Sequence, residues 1–149
     1  MSGFTESKVN LACGSTFVAG DDWINLDYAA ANEHVLLANL LGRLPLPDNG
    51  AALVYCSHFL EHIPRSKVAG FLAECFRIMA PSGTLRLVLP DLENLCWAYL
   101  EHREVSEHDK ADFVVLEIVD QCVRRTSGGE LGRFYGQLRS DPATYAAEM

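Results

Sequence analysis

Four short apolar segments, each followed by turn-forming or polar residues, constrain the fold more than any other feature of this sequence. They are Lys8–Ala12, Trp23–Asp27, Ala52–Cys56 and Thr84–Leu89. Short segments with nearly continuous apolar character are typical of strands that are buried on both faces, as in a parallel sheet. His34–Leu37 is a candidate for a further strand. The sequence therefore predicts an α/β domain with a mainly parallel sheet of about five strands.

Helical periodicity occupies much of the remaining chain. From Arg65 onward apolar residues recur at steps of three and four, which predicts an amphipathic helix stopped by Pro81-Ser82-Gly83. Two further helices are predicted at about Leu92–Arg103 and Asp109–Arg125, and the chain after Ser127-Gly128-Gly129 has a mixed pattern. The connection between the second and third strands is too short for a helix, so we expect thin cover on one sheet face there.

Composition and charge argue against several classes of protein. The net charge is −8 and no stretch gathers lysine or arginine, so a nucleic-acid partner is not expected. No apolar run approaches the roughly 18 residues of a membrane span, and the opening segment MSGFTESKVN does not resemble a signal peptide. The five cysteines are widely spaced and include no CxxC pair, which fits buried thiols in a reducing cytoplasm. We therefore expect a cytoplasmic protein with no membrane segment.

Polar and turn-forming residues follow each predicted strand, where an open α/β sheet binds its ligands. These strand ends carry Cys13-Gly14, Asp27, Asn39-Leu40, Ser57-His58 and Pro90-Asp91. A glycine turn lets the backbone approach a ligand, and a carboxylate accepts hydrogen bonds from two ribose hydroxyls. Together these features favour a nucleoside site, and we interpret Asp91 as the cap of the following helix.

A longer pattern covers about Val9 to Leu92 in order and spacing. It comprises LACG, DDWINLD, NLLGRLPLPDNGAALVYCSHFLEH and FRIMAPSGTLRLVLPDL. This pattern resembles the class I S-adenosylmethionine-dependent methyltransferases, particularly the type 11-like group. The resemblance implies a three-layer, Rossmann-like methyltransferase fold with S-adenosylmethionine as cofactor. It also implies one domain over residues 1–149, with a cofactor-binding core at about 8–92 and a helical C-terminal segment at about 93–149. A full fold of this class has seven strands, so the final strands are expected to be missing here.

The resemblance assigns cofactor contacts residue by residue. The backbone of Ala12, Cys13 and Gly14 would line the methionine end, and Asp27 would hold the ribose. Asn39 would hydrogen-bond the adenine, and Leu40 would pack against it. Ser57 and His58 would lie at the far side of the cofactor, near the substrate entrance.

Fewer residues can be assigned to the methyl acceptor than to the cofactor. An imidazole titrates near pH 6.5, so His58 is the candidate catalytic base. The later segment LEIVDQCVRRTSGGELGRFY resembles the helical insert of the group, and Asp120, Gln121 and Arg124 are its candidate polar residues. The acceptor itself is expected to be a small molecule, a sugar or a natural-product intermediate.

The sequence departs from the group's pattern at three places. Ala12 stands where the pattern has glycine, and alanine is strained there if φ must be positive. Asn39 replaces the usual aspartate and loses its charge, and Gly50-Ala51-Ala52 replaces Ser-Phe-Asp. The departures at Ala12 and Asn39, together with the missing strands, keep a second hypothesis open, in which the chain is a non-catalytic methyltransferase-like subunit or remnant with a structural or regulatory role.

HFLEH, His58 to His62, also fits the metal-binding pattern H-x-x-E-H. A zinc site would need both histidines on one helical face and a third ligand such as Glu117 or Glu130. Pro64 leaves room for at most a single turn, so we expect no metal and interpret Glu61 and His62 as helix-start and packing residues.

The fifth predicted strand raises a question of assembly. If Thr84–Leu89 is the last strand, its edge is long, apolar and unpaired unless the C-terminal helices or another subunit covers it. We expect a homodimer or a partner chain at this edge.

Overall fold

The computed structural model describes residues 7–29, 32–123 and 128–140. They form two compact units that divide between Leu89 and Pro90. The first unit contains the sheet and one helix, and the second contains three helices. The expected single domain stays a prediction.

The first unit is a five-stranded sheet in which every neighbouring pair is parallel. Its strands are β1 (Ser7–Leu11), β2 (Trp23–Asp27), β3 (Val35–Leu37), β4 (Ala51–Ser57) and β5 (Met79–Val88). Their order is β3-β2-β1-β4-β5, so the strand order reverses between β1 and β4. The α/β prediction with about five parallel strands is confirmed.

One face of the sheet packs against helix α1 (Arg65–Ile78). The helix buries Phe71, Cys75 and Ile78. Alternate strand residues meet them in one apolar core, which includes Val9, Leu11, Leu26, Val54 and Cys56. Phe71 and Cys75 belong to the predicted three- and four-residue spacing, whereas Phe76, which also belongs to it, is exposed.

The end of α1 differs from the prediction. The helix stops at Ile78, and Met79 is already extended, with φ −76° and ψ 134°. Pro81-Ser82-Gly83 lies inside β5, in a bulge where the partner of β5 advances only from Ala51 to Leu53. A Cβ on Gly83 would lie 2.7 Å from the carbonyl oxygen of Ala51, so this bulge requires glycine. The tripeptide therefore shapes the strand and does not end the helix.

The opposite face carries a polar layer. Asn10 and Asn25 are buried there, and the Asn10 amide donates to Asn25 Oδ1 at 3.1 Å. Asn25 also bonds both the N–H and the carbonyl oxygen of Val18, each at 2.9 Å. The β1–β2 connection is thereby fixed over the sheet as a loop. No helix lies in the described parts of the β1–β2 and β2–β3 connections, in agreement with the expected thin cover.

The second unit contains α2 (Leu92–Glu104), α3 (His108–Val123) and α4 (Gly129–Ser140), with α3 in contact with both other helices. Asp91 caps α2 by accepting from the Asn94 N–H at 3.0 Å, which confirms its predicted role. The helix α4 was not predicted, because two internal glycines, Gly132 and Gly136, weaken its pattern. Within the described ranges, no helix has the length and apolar character needed to cross a membrane.

Candidate functional site

The register of the sheet brings the predicted site residues to one edge. Leu11 pairs with Leu26 on one side and with Cys56 on the other. The carboxyl ends of β1, β2 and β4 therefore lie side by side, about 5 Å apart. Ala12–Gly14 follows β1, Asp27 is the last residue of β2, and Ser57 is the last residue of β4, directly before His58. This edge is also the point where the strand order reverses, as expected for a ligand site.

The turn after β1 adopts a left-handed backbone at two positions. Ala12 has φ 55° and Gly14 has φ 54°. Because φ at position 12 is positive, alanine carries backbone strain of about 1–2 kcal/mol there. The turn is held by the Ala12 N–H, which donates to Leu26 O at 2.9 Å, and by the Thr16 hydroxyl, which donates to Cys13 O at 2.8 Å.

Asp27 closes this turn from the neighbouring strand. Its Oδ2 accepts from the Gly14 N–H at 2.9 Å, and its Oδ1 accepts from the Ala29 N–H at 3.0 Å. A carboxylate offers about four acceptor positions, so about two remain for other donors. Because Asp27 is only half-buried, these positions fit the paired hydroxyls of a ribose.

The pairing of β3 with β2 places Asn39 near Asp27. The Ala38 N–H donates to Asp27 O at 2.8 Å, and Asn39 follows with an exposed side chain. Its Oδ1 accepts from the Tyr28 hydroxyl at 2.9 Å and from the Leu41 N–H at 3.1 Å. Its Nδ2 makes no hydrogen bond among the described residues and is free to donate to a base. Sequence reasoning missed Tyr28, although it directly follows Asp27.

Leu40 does not present its side chain at this edge. It is 1% exposed and belongs to the apolar core. The sequence expectation that Leu40 packs on adenine does not fit this arrangement, because the core already takes up its side chain. The role stays a prediction without support from the geometry.

Cys13 is buried, and burial raises the pKa of its thiol above the usual range, with the Asp27 charge adding to the shift. The thiol is therefore neutral at ordinary pH, and thiolate chemistry is disfavoured. What Cys13 offers a ligand is its backbone.

His58 directly follows β4 with an unusual backbone. Its φ is 52°, and its N–H donates to Val88 O at 2.9 Å. The Nδ1 atom of His58 lies 3.4 Å from Glu61 Oε1, and the Nε2 atom of His62 lies 3.7 Å from the same oxygen. Sequence reasoning took Glu61 only as a helix-start residue, although the H-x-x-E spacing indicates this contact.

HFLEH forms only a single 3-10 turn, Leu60–His62, so its histidines do not share the face of an α-helix. Across the part of the chain that the structure describes, no group of three or more histidine, cysteine or acidic residues could hold a metal ion. The geometry therefore gives no support to the zinc hypothesis.

The polar residues that were predicted to contact the methyl acceptor belong to the C-terminal part of the chain. Asp120 is 9% exposed and accepts from the Glu130 N–H at 2.9 Å, so it caps α4. It also lines a cavity of about 460 Å³ between α3 and α4, whose apolar wall includes Leu116 and Phe134. Gln121 Oε1 is buried and has no partner among the described residues, and Arg124 lies outside them.

The parallel sheet and its strand order define a Rossmann-like α/β protein, and the polar residues at its strand ends fit a nucleoside ligand. The sequence model of a family described as a methyltransferase domain matches residues 10–87, more than half of the chain. The chain therefore belongs to this family of class I S-adenosylmethionine-dependent methyltransferases. A search of curated proteins found no match. The resemblance seen in the sequence is confirmed.

Proposed function

We propose that the protein is an S-adenosylmethionine-dependent methyltransferase that acts on a small molecule, a sugar or a natural-product intermediate. The observation that carries the proposal is the half-buried Asp27 carboxylate at the point where the strand order reverses. It shapes the Gly14 turn and still keeps acceptor positions for a ribose. The net charge of −8 argues against nucleic acid as the acceptor.

The cofactor, when bound, supplies an electrophilic methyl group on a sulfonium. The backbone of Ala12–Gly14 would line its methionine end, Asp27 would accept from the ribose, and the Asn39 Nδ2 amide would donate to the adenine. His58, at the end of β4, would take up the proton that the methyl acceptor loses. Positioning by these residues supplies most of what such a transfer requires.

A second candidate is a methyltransferase-like subunit that does not catalyse. Ala12 favours it, because its Cβ stands in a left-handed turn where glycine would let the backbone approach a ligand more closely. Asn39 adds to this, because an amide lacks the charge of the usual aspartate. The two candidates differ in turnover and share the expected cofactor site.

Calorimetric titration with S-adenosylhomocysteine tests the cofactor site. We expect micromolar binding by the wild type and at least a tenfold loss in Asp27→Asn, which keeps the size of the side chain. Asp22→Asn is the matched control, because Asp22 pairs with Lys8 at the opposite end of β2. It should bind like the wild type.

Circular dichroism on each variant separates lost binding from lost folding. Absence of wild-type binding at millimolar ligand would overturn the proposal. Equal binding by wild type and Asp27→Asn would remove Asp27 from the site.

We also propose a homodimer through the outer edge of β5, the last strand in the sheet order. Exposed strand edges are templates for pairing with another chain. Sedimentation equilibrium should give twice the monomer mass at micromolar concentration, and a monomer mass would contradict the dimer. The five cysteines are free thiols, which supports our placement of the protein in the reducing cytoplasm. The expectation of buried thiols is correct for Cys13, Cys56 and Cys75 and wrong for Cys96 and Cys122, which are exposed.

A further inference from the structure

The Glu61 carboxylate lies between two imidazoles. Its Oε1 is 3.4 Å from His58 Nδ1 and 3.7 Å from His62 Nε2. The Glu61 side chain is 20% exposed and that of His58 is 42% exposed, so the pair is partly shielded from water. The tight 3-10 turn at Leu60–His62 is what brings the carboxylate back toward the end of β4.

The backbone of His58 is held in place independently of this contact. Its left-handed φ of 52° is sparsely populated by residues other than glycine. The bond from its N–H to Val88 O ties it to β5 at 2.9 Å. Strained residues that persist because their surroundings fix them concentrate at functional sites.

A neutral imidazole carries its proton on only one nitrogen, and its hydrogen-bond partners decide which. The 3.4 Å separation from Glu61 Oε1 is longer than an ordinary hydrogen bond, so the effect of the carboxylate on His58 is electrostatic. A negative charge beside Nδ1 stabilises the proton on that nitrogen and leaves the lone pair on Nε2. The Nε2 atom is the nitrogen remote from Glu61, and it is the atom left to accept a proton.

Three further residues lie near His58 in the described part of the first unit. His62 Nε2 is 3.7 Å from the same Glu61 oxygen, slightly farther than His58 Nδ1. Cys56 precedes it in β4, and burial raises the pKa of that thiol to about 12, so it stays neutral. Val88, its partner in β5, carries no charge.

We propose that Glu61 is a positioning residue that holds neutral His58 in the Nδ1–H tautomer, with Nε2 as the proton acceptor at the substrate entrance. That the methyl acceptor donates the proton taken up by Nε2 rests on the proposed function. The tautomer of His58 is a property of the protein alone, so the tautomer and the proposed function can be tested separately.

Nitrogen NMR of ¹⁵N-histidine-labelled protein tests the proposal without cofactor or acceptor. Spectra are recorded at about pH 8.5, well above the ordinary range of histidine, so that the imidazoles are neutral. The His58 signals are identified by their loss in His58→Asn. In the wild type we expect a protonated Nδ1 and a bare Nε2 for His58.

In Glu61→Ala the His58 signals should move toward the Nε2–H form. Glu33→Ala is the matched control, because Glu33 lies 3.9 Å from the exposed His34 and away from the strand end. It should leave the His58 signals unchanged.

A wild-type His58 protonated on Nε2 would overturn the proposal without any variant. An unchanged His58 tautomer in folded Glu61→Ala would also overturn it. Failure of S-adenosylhomocysteine binding, by contrast, would overturn the proposed function and leave this proton assignment standing.

Discussion

The backbone N–H of Gly14 donates a hydrogen bond to Asp27 Oδ2 at 2.9 Å. This bond joins the turn after β1 to the end of β2, so the carboxylate that we propose for the ribose also shapes the turn. Loss of the Asp27 charge should therefore affect the turn as well as the proposed ribose contact. For this reason asparagine, which keeps an acceptor oxygen, is a better test at position 27 than alanine.

Ala12→Gly should stabilise the protein by on the order of 1 kcal/mol. Glycine removes the strain of φ 55° at this position, which outweighs the larger entropy of the unfolded chain. Urea unfolding measures the change. The matched control is Ala73→Gly, at an exposed position inside α1, which should destabilise by about 1 kcal/mol. A destabilised Ala12→Gly would show that the alanine methyl makes contacts worth more than the strain.

The strands and the site edge were predictable because they depend on local pattern and topology. Both predicted bounds of β2, Trp23 and Asp27, agree with the structure, and the predicted bounds of β1 and β4 differ from it by one residue. Parallel pairing then brings the strand ends together whatever the side chains do. The first half of β5 was not predictable, because it depends on the close approach of Gly83 to Ala51.

The side-chain details of the site were less accessible from sequence. The burial of Leu40 depends on packing from several strands and α1. The contact between Glu61 and His58 depends on the tightness of one turn. Hydrophobic spacing does not encode either feature, because both depend on how side chains are oriented in three dimensions.

Arg77→Met should destabilise the protein by about 3 kcal/mol, because charged hydrogen bonds to half-buried groups are lost. The guanidinium donates to Leu46 O at 2.9 Å, to Leu44 O at 3.2 Å and to Glu74 Oε1 at 2.6 Å. It thereby holds the loop before β4 against α1. Arg43→Met is the control, because Arg43 is exposed and lies 3.4 Å from Asp48, so its loss should change stability by less than about 0.5 kcal/mol. Equal effects in urea unfolding would contradict this assignment.

Stability should fall in acid partly through Glu74. Its hydrogen bond from Arg77 lowers the pKa of its carboxyl in the folded state below the ordinary value of 4.5. The unfolded state therefore binds this proton first as the pH falls. The contribution is complete above pH 4.5 and disappears as the pH drops through the lowered value. Urea unfolding from pH 6 down to about pH 3 should show a shallower slope in Glu74→Gln than in wild type. Parallel slopes would show that other carboxyls dominate.

Gly129→Ala should destabilise α4, whereas Gly136→Ala should stabilise it. Gly129 has φ 61°, and a Cβ there would overlap the carboxylate of Asp120 that caps the helix. The variant must move the cap as well as strain the backbone, so we expect a loss of about 2 kcal/mol. Gly136 lies inside α4 with no atom near its Cβ position, so alanine there should gain up to about 1 kcal/mol. Amide hydrogen exchange of α4 measures both changes locally. Unchanged exchange in Gly129→Ala would mean that the Asp120 cap does not limit the opening of α4. Faster exchange in Gly136→Ala would contradict the expected gain in helix propensity.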